Sequence, residues 1–325
     1  MKPFASSCPG PLWESLLRDD ASATFFQTPV WLDIAARHFG AAPAPLLFDF
    51  STGPACLPLL RDRRWGRSRF FSPFGTYTAL LSPRKLDGRE IEVVEADLRK
   101  RNLQFSASPF AENSVRAGRR LPAHTQVIDL TPAHADAPDR DWENDPRRRL
   151  RIAGESGVSV RAGVTAGDWE AYYGLYLKSL ERWGAGATSA YPRALFESIR
   201  AAAASIDSAG ARGPAVRLWL AEHQGRAAAG YIAFYHNRHA CIWHGAADRE
   251  YFKMGASQLL YREMIADAAG RGFAVFDLMG SAGLTALEAF KASLGARTVG
   301  VDTCLNRTGF VGALAGARDL WLRGV

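Results

Sequence analysis

The chain has 325 residues, 47% hydrophobic and 22% charged, which suits a soluble globular protein with a real core and leaves room for two domains. The opening MKPFASSCPGPLW lacks the apolar run of a signal peptide, no stretch of eighteen apolar residues occurs, and four scattered cysteines exclude a zinc ribbon or disulfide scaffold; a cytoplasmic protein is expected. The net charge of +7, mostly arginine, either favours anionic partners such as nucleotides, phosphorylated lipids, tRNA or membrane surfaces, or reflects arginine usage in an Ala/Arg/Gly-rich composition.

Pro29 and Gly40 bracket the first predicted helix, PVWLDIAARHFG, with proline in the first turn and glycine at the stop. Strand-like segments follow: LLFDF (46–50), ACLPLL (55–60) and RFFSPFGTYTALL (69–81), the last broken at Pro73-Phe74-Gly75. Residues 90–101 read as a helix, and LQFSASPF (103–110) and HTQVIDL (124–130) as strands. The Pro- and Asp-rich stretch 131–146 reads as a connector, followed by the basic helix RRRLRIAGESG (147–157) and a short strand, 158–164. Thr165 and Asp168 have capping-box spacing, and Trp169, Tyr172, Tyr173, Tyr176, Leu180 and Trp183 then recur with the period of an amphipathic helix. A helix over 192–205 precedes three strands, 216–223, 227–236 and 239–248, whose short turns make them antiparallel neighbours. The chain then reads as helix 255–272, strand 273–279, helix 284–295 and strand 297–305, followed by an apolar tail, 309–322, too short and charged to span a bilayer. No repeat of 20–50 residues is visible, although both halves alternate helices with hairpins.

Three stretches carry candidate chemistry. In DREYFKMGASQLLYRE (248–263), Lys253 precedes a helix opening near Met254, Gly255, Ala256 and Ser257. Free N–H groups at such a start favour phosphate, and an ordinary helix start with a solvated lysine is the alternative. In HACIWHGAAD (239–248), strict alternation puts Ala240, Ile242 and His244 on one face; Gly245 suggests a bulge or a close backbone approach. Exposed N–H groups there could hold an oxyanion and His244 could move a proton; a hydrogen-bonded core histidine is the alternative. In FDLMGSAGLTALEAFKASLGA (276–296), Lys291 falls inside the apolar stripe of Leu284, Leu287, Phe290 and Leu294, where it snorkels, pairs with Glu288, or enters a polar pocket. Arg182 and Trp183 end the aromatic helix where they could border a pocket, and Tyr77 could present its hydroxyl at a domain seam. The close pair His236 and His239 fits a hairpin turn better than a metal site.

The order of these elements resembles the FemAB-like acyltransferases, the GNAT-superfamily branch with two GNAT-type domains in tandem. FQTPVWLDIA (26–35) resembles the family's opening helix, and TQVIDLTP (125–132) with RRLRIAGESGVSV (148–160) its domain crossover. YYGLYLKSLERWG (172–184) with YPRALFESI (191–199) resembles the start of its second domain, and residues 276–296 its closing strand–loop–helix. The resemblance implies an α/β fold with mixed sheets, an N-terminal GNAT-like domain over 1–140 and a catalytic one over 141–325. It implies transfer of an acyl or aminoacyl group from an acyl-CoA, another acyl thioester or an aminoacyl-tRNA to an amine or hydroxyl, including cell-envelope precursors, with no permanently bound cofactor and no metal. Phe290 and Lys291 would lie at the active-site channel, with Ser281 beside them, and Lys253–Ser257 at the donor pyrophosphate. The GNAT signature Q/R-x-x-G-x-G/A is reduced here to one glycine in FKMGAS, a departure from the standard acetyl-CoA seat. On this reading Lys291 orients the donor or neutralises developing charge, His244 transfers a proton, and the arginine surface around 147–151 is a candidate tRNA contact. A non-catalytic protein that binds RNA or an anionic glycolipid is the competing reading.

Overall fold

A computed structural model describes residues 6–64, 66–184, 187, 190–205 and 215–307; the apolar tail 309–322 lies outside them. The fold is α/β with mixed sheets and forms two compact units, one of residues up to His124 together with those from Gly300 onward, the other Thr125–Val299.

In the first unit β1 (Ser6–Ser7), α1 (Gly10–Asp19) and α2 (Pro29–Phe39) precede the strands β2 (Ala42–Pro43), β3 (Leu46–Phe50), β4 (Gly53–Leu57), β5 (Leu60–Arg64), β6 (Arg67–Phe71) and β7 (Tyr77–Thr78). Helix α3 (Gly88–Leu98), β8 (Asn102–Ala107) and β9 (Arg119–Asp129) follow, and β9 runs on into the second unit. Thr28 caps α2 by accepting the Trp31 N–H, Pro29 begins it, and Gly40 stops it at φ 60°. Trp31 is fully buried and packs on Phe26 and Phe74. Helix α1 has no counterpart in the sequence reading; it begins on Pro9-Gly10, and Trp13, Leu16 and Leu17 are its buried stripe.

The second unit continues with α4 (Ala133–Asp136), α5 (Asn144–Glu155), β10 (Ser159–Gly163), α6 (Ala166–Trp183) and α7 (Arg193–Ser205). Next come β11 (Val216–His223), β12 (Arg226–His236), β13 (His239–Ala247), α8 (Ala256–Gly270), β14 (Val275–Asp277), α9 (Thr285–Ser293) and β15 (Arg297–Asn306), the last of which ends in the first unit, paired with β8. Its sheet runs β10-β11-β12-β13-β14-β9. The hairpins are antiparallel, as their two-residue turns require, with Gln224 and Gly225 at φ 49° and 74° and Asn237 at 47°. The capping box forms: Thr165 accepts the Asp168 N–H, and Asp168 accepts the Thr165 N–H at 2.8 Å while pairing with Arg161. The core between α8 and the sheet is built from Ile242, Leu260, Tyr261, Met264, Ile265 and Phe276.

Two differences from the expected pattern shape the site. Strand β14 is only three residues long rather than seven, because the Asp277 carboxylate takes the Met279 N–H at 2.8 Å and turns the chain, with Met279 at φ 59°. Strand β13 is bulged at Trp243: Ile232 faces His244 and Ala233 faces Ile242, leaving Trp243 without a register partner. The alternation assumed for Ala240, Ile242 and His244 therefore breaks. Ile242 points into the α8 core, whereas Trp243 and His244 both meet the aromatic side chains of α6 and the segment after it.

Candidate active site

Strand β14 runs parallel to β13 only from His239↔Val275 to Cys241↔Asp277. Beyond that point β13 continues to Ala247 while the other strand has turned away. The gap between them is the head of a cavity of about 1080 Å³, lined by residues 242–248 on one side, 278–282 on the other, and by parts of α8 and α9.

Lys291 lies against this cavity with only 3% of its surface exposed. Its Nζ donates to the carbonyls of Met279 at 2.9 Å and Gly280 at 3.1 Å. The lysine thus turns inward onto the loop instead of snorkelling. An ammonium has three N–H groups, and two are used here among the described residues, leaving one for the cavity. Burial lowers its pKa from 10.5 to about 8, opposed by attraction to Asp277 and Glu288. Phe290 packs edge-on against Tyr261 at 5.5 Å and forms the wall beside it. Ser281 is buried, and its hydroxyl donates to Gln126 Oε1 at 3.2 Å; Gln126 in turn donates to the Glu288 carbonyl at 2.9 Å.

His244 also lines the cavity, surrounded by Tyr172, Tyr176, Tyr191 and Phe196 and hydrogen-bonded through Nδ1 to the Tyr172 hydroxyl. Desolvation drops its pKa to about 3, so the ring is neutral. At Gly245 a Cβ would stand 2.1 Å from Tyr231 Cε1: the glycine admits a ring, and the bulge it was expected to mark sits two residues earlier. Tyr231 reaches Ser257 and Tyr261 through its hydroxyl.

At the far side Lys253, Ala256 and Ser257 line the cavity, but Met254 and Gly255 do not. Gly255 caps α8 at φ 70°, and its missing Cβ would lie 2.1 Å from the Arg149 carbonyl oxygen, so this glycine serves the close approach of α5 and not that of a ligand. As the N-cap, Gly255 has no side chain with which to cap the first turn of α8. Arg182 donates to the Ala247 carbonyl at 2.9 Å and stacks over Trp183 and Phe252 at the mouth. Tyr77 belongs to the first unit, between Phe26 and Phe110, and is no part of this cavity. In the basic helix, Arg147 is tied to the Asp139 and Arg140 carbonyls and Arg148 to Asp145, while Arg149 lines the cavity.

Of the residues expected from the sequence, Lys291, Phe290, Ser281, Gly245, His244, Arg182, Trp183, Lys253, Ala256 and Ser257 line this one cavity. The sequence reading missed Gln126, Tyr231, Tyr261, Asp277 and Phe252. Only Asp277 left a signal: a carboxylate inside an otherwise apolar strand, FAVFDLM.

Residues 142–300 match the family model described as an acetyltransferase (GNAT) domain. Among solved structures the chain is similar to FemX, at 11% identity and TM-score 0.68, covering 93% of this chain and 98% of that one. It is also similar to the C-terminal domain of a putative lysylphosphatidylglycerol synthetase from Agrobacterium fabrum, at 12% identity and TM-score 0.53, covering 96% of each chain. L-PGS from Bacillus licheniformis aligns at 11% identity and TM-score 0.53, again over 96% of each. No curated protein matches the sequence significantly. Residues 142–300 thus have the sequence pattern of a GNAT-type domain. Over most of its length the chain's fold is similar to that of FemX.

Among the described residues no helix is long and apolar enough to cross a membrane.

Proposed function

We propose that the Thr125–Val299 unit is the catalytic part and transfers an acyl or aminoacyl group from an activated donor, an acyl thioester or an aminoacyl-tRNA, to an amine or hydroxyl of an acceptor. The observation that carries this is the buried Lys291 ammonium, held by two loop carbonyls at the point where β13 and β14 part. A cation desolvated in this way has most of its charge available to a neighbouring oxyanion. The donor carbonyl lies in the gap between the strands, with its oxygen toward Lys291 and the freed backbone of β13. The donor's phosphate groups lie toward Lys253 and the uncapped first turn of α8. The acceptor nitrogen or oxygen attacks the carbonyl carbon, the bond to sulfur or to the ribose oxygen breaks, and the attacking atom's proton passes to that leaving group. His244 is too weak a base for this proton at its pKa of about 3; with Tyr172 it forms a neutral wall. Arg182, Trp183 and Phe252 border the acceptor's path.

The donor class is tested by thermal shift. Stabilisation by CoA without RNA supports an acyl thioester; salt-sensitive retention of tRNA supports an aminoacyl-tRNA. Salt-sensitive retention with no transfer from any donor would instead support a binding protein.

A further inference from the structure

Behind Lys291 lies a second buried ionisable group that the transfer chemistry does not touch. Asp277, with 0% exposure, ends β14. One carboxylate oxygen accepts the Thr125 hydroxyl at 2.6 Å and the Met279 N–H at 2.8 Å; the other stands 3.3 Å from His239 Nε2. Its partners come from two strands, β9 and β13, and from the turn that follows β14. They fix the first residue of the turn, whose own carbonyl receives Lys291. Met279 and Ala282 are both held at positive φ, 59° and 50°, which non-glycine residues adopt only when the surroundings impose it.

We propose that Asp277 is a positioning residue for Lys291: it clamps the Met279–Gly283 loop so that two carbonyls meet the ammonium, and it supplies the buried anion that keeps that ammonium charged. The charged groups acting on Lys291 are Asp277, behind the loop, and Glu288 on its own helix, with Asp277 the stronger. His239 faces Asp277 from β13. Carbonyl dipoles alone solvate a buried cation poorly, and an opposite charge nearby favours the charged form. The inference rests on Lys291 acting as a cation in the proposed reaction, but its test reads charge and not turnover.

The chain contains only six lysines, so selective labelling of their Cε carbons gives a tractable NMR spectrum. In the full chain, the Lys291 signal is assigned by its loss in Lys291→Met and followed against pH. Asp277→Asn should move its titration midpoint down by roughly 1 pH unit, and Glu288→Gln by less. A purely structural role for Asp277 would leave the midpoint in place, and an unmoved midpoint in folded Asp277→Asn overturns the proposal. If Asp277→Asn does not fold, the double variant Asp277→Asn/Lys291→Met decides. Recovery of folding shows that the unpaired lysine was the defect; a double variant that is equally unfolded overturns the pairing.

Discussion

Lys291→Met exchanges a buried ammonium for an apolar chain of similar length, and its effect on stability should depend on pH. The folded state holds Lys291 at a pKa of about 8, against 10.5 for an ordinary lysine. The sign follows from proton linkage. Between these two values the unfolded chain binds the proton and the folded chain does not, so stability rises with pH across that window. Below pH 8 the wild type carries the full penalty of a desolvated charge, about 3 kcal/mol at about 1.36 kcal/mol per pH unit. By pH 9.5 about 2 kcal/mol of that penalty is relieved. Lys291→Met carries none of it at any pH, and other titrating groups cancel in the comparison. Urea denaturation of both proteins at pH 7 and pH 9.5 measures the effect. The stability of the wild type relative to the variant should improve by about 2 kcal/mol at the higher pH. A difference that stays constant would mean that Lys291 is hydrated in the folded protein, and the argument from its burial would fail.

The same sign holds for His244, depressed from 6.5 to about 3 by burial: its contribution to stability is lost as pH falls from 6.5 toward 3. Imidazole NMR should show it neutral at pH 5, and protonation there would remove the neutral-wall assignment. Gly255→Ala places a Cβ 2.1 Å from the Arg149 carbonyl at φ 70° and should destabilise the protein by at least ~2 kcal/mol in chemical denaturation. Gly245→Ala drives the Tyr231 ring from its seat and should lower transfer roughly tenfold or more while circular dichroism shows the fold intact.

What the sequence made legible followed from local periodicity and punctuation. The two hairpins, the aromatic helix with its Thr165–Asp168 cap, and the closing helix all carry signals within a few residues of themselves. The site depends on departures from periodicity. The bulge at Trp243 moves His244 off the face of Ala240 and Ile242, and its nearest signal in the sequence, Gly245, stands two residues away. Gly245 admits a ring, and that ring, Tyr231, comes from the neighbouring strand. Lys291 had three outcomes on a helical wheel. The choice among them is made by two loop carbonyls that exist only because Asp277 ends its strand early. Gln126 reaches the loop from 155 residues away in sequence, a separation at which pattern reading has no purchase.

The central claim is that this cavity performs acyl transfer through the Lys291 cation. The direct measurement incubates the purified chain with acetyl-CoA, longer acyl-CoAs and a charged tRNA pool in parallel, each with a set of amine and hydroxyl acceptors, and reads acceptor masses. The account predicts one acceptor gaining the mass of the acyl or aminoacyl group with the wild type and losing that gain with folded Lys291→Ala. Transfer at an unchanged rate by Lys291→Ala would contradict it.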